Sequence, residues 1–212
     1  MEDKLVYSDI FKAALKGLKS QFWLLVGLII GFTIVYSLLL IFTVPAKGES
    51  IGISSIIVSI LSLFLICLFM MGYLKNCMQT LDGEEPQFSS YGQVSRKLLT
   101  FLIAYFIFSL IITIGSVLLI VPGVYLALRL QFFYAFITDD DAGIIDSFKK
   151  SWIITKGNTL QLFIVMLIMI LINFLGSLVL IIGVFVSVPL VVLMYGQVYR
   201  KLTEPAAKYN FS

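Results

Sequence analysis

The sequence contains no histidine and only two cysteines. The missing histidine removes the commonest general base and the commonest metal ligand. Cys67 and Cys77, ten residues of helix apart, would stand roughly 15 Å from each other, too far for a disulfide. Neither has a metal-spaced partner, so both read as structural thiols. Charge is equally scarce. Charged residues make up 13% of the chain, against about 25% in an ordinary soluble domain. The net charge of +3 is too weak for a nucleic-acid footprint, so no nucleic-acid partner is expected. The chain also lacks a glycine-rich phosphate loop, a nucleophile elbow and a metalloprotease helix. The spaced aspartates of membrane alcohol-phosphatidyltransferases are missing too. The expectation is a non-enzyme with no catalytic residue, no metal and no cofactor.

What the sequence has in abundance is hydrophobic surface. Hydrophobic residues reach 60%, and the mean hydropathy is +1.04. No water-facing surface can be built from this composition, and disorder is excluded with it. An all-α polytopic membrane protein is expected, with residues 1–212 forming a single membrane domain.

Four apolar stretches stand out: Phe22–Val44, Ile51–Leu74, Leu98–Ile137 and Leu160–Tyr199. One span needs roughly 20 residues to cross a hydrocarbon core about 30 Å thick. The last two stretches are twice that length and read as hairpins of two spans each. The total is six transmembrane helices in three hairpins. Turns are expected between Gly115-Ser116 and Pro122-Gly123, and among Gly176-Ser177, Gly183 and Pro189. The first run is too long for the core of a cleaved signal peptide, although Val44-Pro45-Ala46 faintly resembles a cleavage site.

Charge asymmetry agrees with six spans. Thirteen of the fifteen basic residues fall before span one, after spans two and four, and in the tail. Only Lys47 lies on the other side, and Arg129 lies inside a span. The positive-inside rule then puts both termini in the cytoplasm, and the bacterial cytoplasmic membrane is the expected location.

An internal repeat is visible. Gly115–Ile120 reappears as Gly176–Ile181, and Asp9–Lys12 parallels Asp146–Lys149, with a weaker copy from Phe88. Three repeat-like units are expected, about 1–75, 86–140 and 141–203, with 204–212 as a tail. Each begins with a short cytoplasmic amphipathic helix. In the first, Lys12, Lys16 and Lys19 form a polar stripe opposite Phe11, Leu15, Leu18 and Phe22. Lys149, Lys150 and Lys156 flank Phe148 and Trp152 in the last. These six lysines form a candidate interfacial collar for anionic lipid or a partner protein.

Arg129 is the most informative residue. A charge inside a span costs about 2.5–3.5 kcal/mol on insertion scales, and no acid lies in any predicted span. Arg129, with Tyr125 and Gln131 nearby, is the candidate site for a phosphate or carboxylate such as a lipid headgroup. The alternative roles are snorkelling to an interface or capping carbonyls freed at Pro122 or a neighbouring break. Asp139, Asp140, Asp141 and Asp146 read as helix caps and turn residues rather than a Mg²⁺ site.

Two further stretches carry a family resemblance. They are Val121-Pro122-Gly123 through Arg129-Leu130, and Ser147-Phe148-Lys149-Lys150-Ser151-Trp152 through Thr155-Lys156-Gly157-Asn158. Gly72-Tyr73 and Asp82-Gly83-Glu84 also fit. The pattern resembles a broad group of uncharacterised bacterial multi-pass proteins, similar to the membrane domain attached to some glycerophosphodiester phosphodiesterases. It implies a bacterial membrane module that engages lipid or an amphiphile. It carries no esterase activity over, because the hydrolase of the fused proteins is a separate soluble domain. The expected function is a non-enzymatic membrane module that binds anionic lipid or an amphiphile, or scaffolds a partner or a second copy of itself. The alternative is a small transporter or exporter component, with Arg129, Gln131 and Asn173 on its pathway.

Overall fold

The computed structural model describes residues 5–43, 52–179 and 183–207. Lys4, Lys47, Lys208 and the Val44-Pro45-Ala46 segment lie outside the described residues. Among the described residues the regular elements are all helices: α1 (Tyr7–Ser20), α2 (Phe22–Ile41), α3 (Ile53–Leu81), α4 (Ser89–Ser95), α5 (Leu98–Leu118), α6 (Ile120–Leu130), α7 (Phe133–Asp139), α8 (Ile144–Ile154), α9 (Thr159–Leu178) and α10 (Val184–Ala207).

Among the described residues, five stretches are long and apolar enough to cross a membrane: α2, α3, Leu98–Val117 of α5, the α6–α7 pair over Ile120–Asp139, and α9. They mark the chain as a membrane protein. Helix α2 is hydrophobic all round and buries only Leu25 and Val26 within the protein. Such bare apolar surface is tolerable where lipid or a partner covers it. Helix α10 is not among the five; it carries Gln197, Arg200 and Lys201 in its C-terminal half.

Both long apolar stretches turn back on themselves, and glycine is the reason. Helices α5 and α6 are joined through Leu119 alone, held in an extended conformation (φ −161°, ψ 142°). The two helices can approach because Gly115 faces Gly123; a Cβ on Gly123 would sit 2.9 Å from the Ser116 nitrogen. In the second stretch a Cβ on Gly176 would lie 2.8 Å from Ser187 Cβ, and one on Gly183 3.0 Å from the Gly176 carbonyl carbon. The turns therefore fall between the predicted breakers. Pro122 sits in the first turn of α6, where its missing N–H leaves no bond unmade.

The short helices pack in a regular order. Helix α4 packs on α3, α8 on α7 and α6, and α1 on α10. The docked positions correspond. Ala14 and Leu18 of α1, Ser90 and Val94 of α4, and Ser151 of α8 with Thr155 just after it are all buried. The buried face of α1 is Ile10, Ala14, Gly17 and Leu18. Phe11, expected on that face, is 38% exposed. The face that packs is the one whose small residues let α1 come close to α10 and the end of α3.

At the centre, α3, α7 and α10 converge. Tyr73, Tyr134 and Tyr195 recur at a 61-residue interval. The Tyr134 hydroxyl donates to the Met70 carbonyl, and the Tyr195 hydroxyl donates to the Gln131 carbonyl (2.9 Å), each acceptor 64 residues upstream. Tyr73 departs from the pattern and donates to the Leu25 carbonyl at 3.3 Å. At the edge of this centre the Tyr91 ring of α4 lies in the space that a Cβ on Gly72 would fill. Burial there pushes the Tyr91 phenol above its ordinary pKa.

Candidate functional site

The site is built on a kink. Between α6 and α7 the backbone leaves helical geometry at Phe132, where ψ rotates to 1°. The residues at this point contain neither glycine nor proline. Side chains inserted into the hydrogen-bond ladder take over its bonds instead. In an unbroken helix the Phe132 N–H would reach the Leu128 carbonyl. Here it donates to Ser151 Oγ at 3.1 Å, and the Gln131 side-chain amide donates to Leu128 O at 3.1 Å. The Arg129 carbonyl, which would serve Phe133, accepts from Ser151 Oγ at 2.9 Å and Thr155 Oγ1 at 3.2 Å. The Gln131 carbonyl accepts from Tyr195. Ser151 thus both donates and accepts across the kink, as a hydroxyl can. In lipid each of these backbone groups would otherwise be costly to leave unpaired.

The kink settles where the Arg129 side chain lies. The residue is 3% exposed. Its guanidinium carbon stands 4.2 Å from the Trp152 ring centroid and 6.0 Å from that of Tyr125. The two rings meet edge to face, with centroids 6.1 Å apart. Arg129 makes no ion pair with any described acid, and its Nε is buried without a hydrogen-bond partner. Cation–π contact with an indole is worth about 2 kcal/mol or more when desolvated. It covers one face of the guanidinium and satisfies none of its N–H donors in the ring plane. Trp152 is 40% and Tyr125 44% exposed, so the aromatic cover forms part of the outer surface.

The predicted site residues therefore separate. Arg129 and Tyr125 come together. Gln131 turns its amide back to its own helix and serves the kink. Trp152, expected only as an interfacial anchor, joins Arg129. In the sequence Ser151 and Thr155 carry only the family resemblance and no site role. Their hydroxyls, four residues apart on the buried face of an amphipathic helix, were the available signal. Of the collar, Lys12, Lys16, Lys19, Lys149 and Lys156 are exposed. Lys150 pairs with Asp140 and lies 5.6 Å from the Phe136 ring. Asn173 has its side-chain oxygen buried without a partner.

The aspartates after α7 do not cap α8. Its N-cap is Gly143, with no side-chain cap bond. Instead Asp139 pairs with Lys75 at 2.8 Å, Asp140 with Lys150, and Asp141 with Lys97 at 3.6 Å. Lys75 of α3, Lys150 of α8 and Lys97 at the α4–α5 junction draw the carboxylates apart. Cys67 and Cys77 are free and buried. Near the kink, Tyr73, Tyr134 and Tyr195 line an otherwise apolar cavity of about 360 Å³, together with Ile29, Met169 and Val191.

Apolar helices of membrane length, a kinked helix sealed by hydroxyls and a buried arginine under two aromatic rings define an all-helical membrane protein. The chain belongs to the family described as a domain of unknown function, DUF7847, whose model matches residues 87–209. The match takes in Arg129, the kink and the α8 hydroxyls. No curated protein and no solved structure matches the chain.

Proposed function

We propose that this protein is a non-enzymatic membrane module that holds the anionic headgroup of a lipid, or of another amphiphile, at Arg129. One observation carries the reading: a buried guanidinium with no carboxylate partner and an unpartnered Nε, beneath two half-exposed aromatic rings. Trp and Tyr favour the headgroup level of a bilayer, so a phosphate oxygen is the acceptor that this depth supplies. Arginine meets phosphate with paired, charge-assisted bonds. The exposed lysines of α1 and α8 add a basic collar at the same end of the bundle.

In this reading the chain crosses the bacterial cytoplasmic membrane six times, with α10 as the sixth span and both termini in the cytoplasm. Its three units each comprise a short helix and a hairpin. The resemblance to the membrane domain of glycerophosphodiester phosphodiesterases fits a module that handles amphiphiles. Protein partners or a second copy of the chain would meet it through the collar.

The test is native mass spectrometry of the purified protein. The unaltered chain retains an anionic lipid, and Arg129→Gln loses it while still inserting and folding. Equal retention by both overturns the reading. A second reading, a small transporter, draws on the kinked α6–α7 helix, since interrupted helices line substrate sites in transporters. Solute flux in proteoliposomes that depends on Arg129 or Asn173 would favour it.

A further inference from the structure

We infer that the cleft between the end of α3, the α4–α5 junction and the α7–α8 loop is a second anion site, one that takes a phosphate group. It has a volume of about 320 Å³ and is lined by Lys75, Arg96, Lys97, Thr138, Asp139 and Asp141. Three cations face two carboxylates, so the cleft carries an excess of positive charge. Lys75 is fixed by Asp139 at 2.8 Å. Arg96 is exposed and makes no ion pair among the described residues. Thr138 is 6% exposed, and its hydroxyl is buried without a hydrogen-bond partner. An arginine without an ion pair, a lysine whose carboxylate partner stands 3.6 Å away and a hydroxyl without a partner match the several acceptor oxygens of a phosphate.

Asp141 already occupies part of this site in a form that is easily displaced. Its backbone sits in the left-handed region at φ 52°, which a non-glycine residue adopts at some cost. Its carboxylate is 81% exposed and only 3.6 Å from Lys97 Nζ, at the limit of an ion pair. Lys97 is held more closely by the Asp141 backbone carbonyl, at 3.0 Å. The carboxylate therefore competes weakly for Lys97, and a doubly charged phosphate displaces it while the loop stays anchored through its carbonyl. A phosphate could arrive free in solution or on a lipid head, and the chemistry of recognition is the same.

The experiment places the full chain in nanodiscs and titrates inorganic phosphate by calorimetry in phosphatidylcholine discs. In parallel, it compares protein retention of phosphatidic acid in mixed discs. Binding of free phosphate identifies a soluble source; retention of phosphatidic acid without free-phosphate binding identifies a lipid source. In whichever arm binds, Arg96→Gln weakens binding by about tenfold or more, and Thr138→Val weakens it less. Asp141→Asn tightens it, because the resident competitor loses its charge. Arg96 and Asp141 are exposed, so these variants fold. Absence of binding in both arms overturns the proposal, as does binding that Arg96→Gln leaves unchanged or that Asp141→Asn weakens.

Discussion

Ser151 shows how one hydroxyl can stand in for a turn of helix. It accepts from Phe132 N–H and donates to the Arg129 carbonyl, closing a gap that the backbone leaves open. Ser151→Ala leaves the Phe132 N–H buried and unpaired and leaves the Arg129 carbonyl with Thr155 Oγ1 as its only side-chain donor. Buried unpaired polar groups cost about 1–3 kcal/mol in soluble proteins, and side-chain bonds measured in membranes fall lower. The expected loss is about 1–2 kcal/mol, read as a lowered unfolding midpoint in detergent, with Thr155→Val costing less because Ser151 still serves the same carbonyl. A midpoint unmoved by Ser151→Ala would mean that the kink is held by packing alone. The oddity of Arg129 was legible in the sequence, since it lacks any acid within the spans. Its partner Trp152 and the sealing hydroxyls were not, because they approach from 22 or more residues away. Contacts of that kind follow from packing, which no local pattern encodes.

At the scale of elements, the hairpins depend on backbones touching. Gly123→Val would drive a side chain into the Ser116 backbone across the α5–α6 turn. Overpacking of this kind costs about 1–3 kcal/mol, and here the obstacle is backbone that cannot rotate aside. The variant should unfold at a markedly lower temperature. Gly31→Ala supplies the contrast, because nothing lies within 4 Å of the added carbon. An alanine in a helix is favoured over glycine by about 0.5–1 kcal/mol, so stability should hold or rise. If both variants lose stability alike, glycine at these turns is not acting through close approach. The turn regions were legible because glycine and proline punctuate them. The kink at Gln131–Phe132 was not, since its cause lies on α8 and α10 and the local residues are good helix formers.

Across the whole molecule, the basic residues and the span count make a joint claim about sidedness. Cys67 and Cys77 are both buried, so the native thiols form a silent background and Cys77 itself cannot report topology. A cysteine in place of exposed Lys149 should react with an impermeant thiol reagent only in opened cells. One in place of Val121, 78% exposed near the α5–α6 turn, should react in intact cells. Labelling of both from the same side would remove the six-span arrangement. The composition made the membrane class legible, and five of the six expected spans appear as helices of sufficient length and apolarity. The sixth is harder to read, because α10 carries its polar residues into the layer where α1 and the end of α3 pack.

The seating of α1 on α10 also has a consequence for biosynthesis. A ribosome delivers α1 long before α10, yet each packs against the other. Until α10 emerges, only the end of α3 offers the buried face of α1 a protein surface, and the rest of that face rests on the bilayer surface, as an amphipathic helix can. The earlier hairpins can insert and pair as they are made. The α1–α10 contact therefore closes across nearly two hundred residues of chain and forms only once α10 has been made.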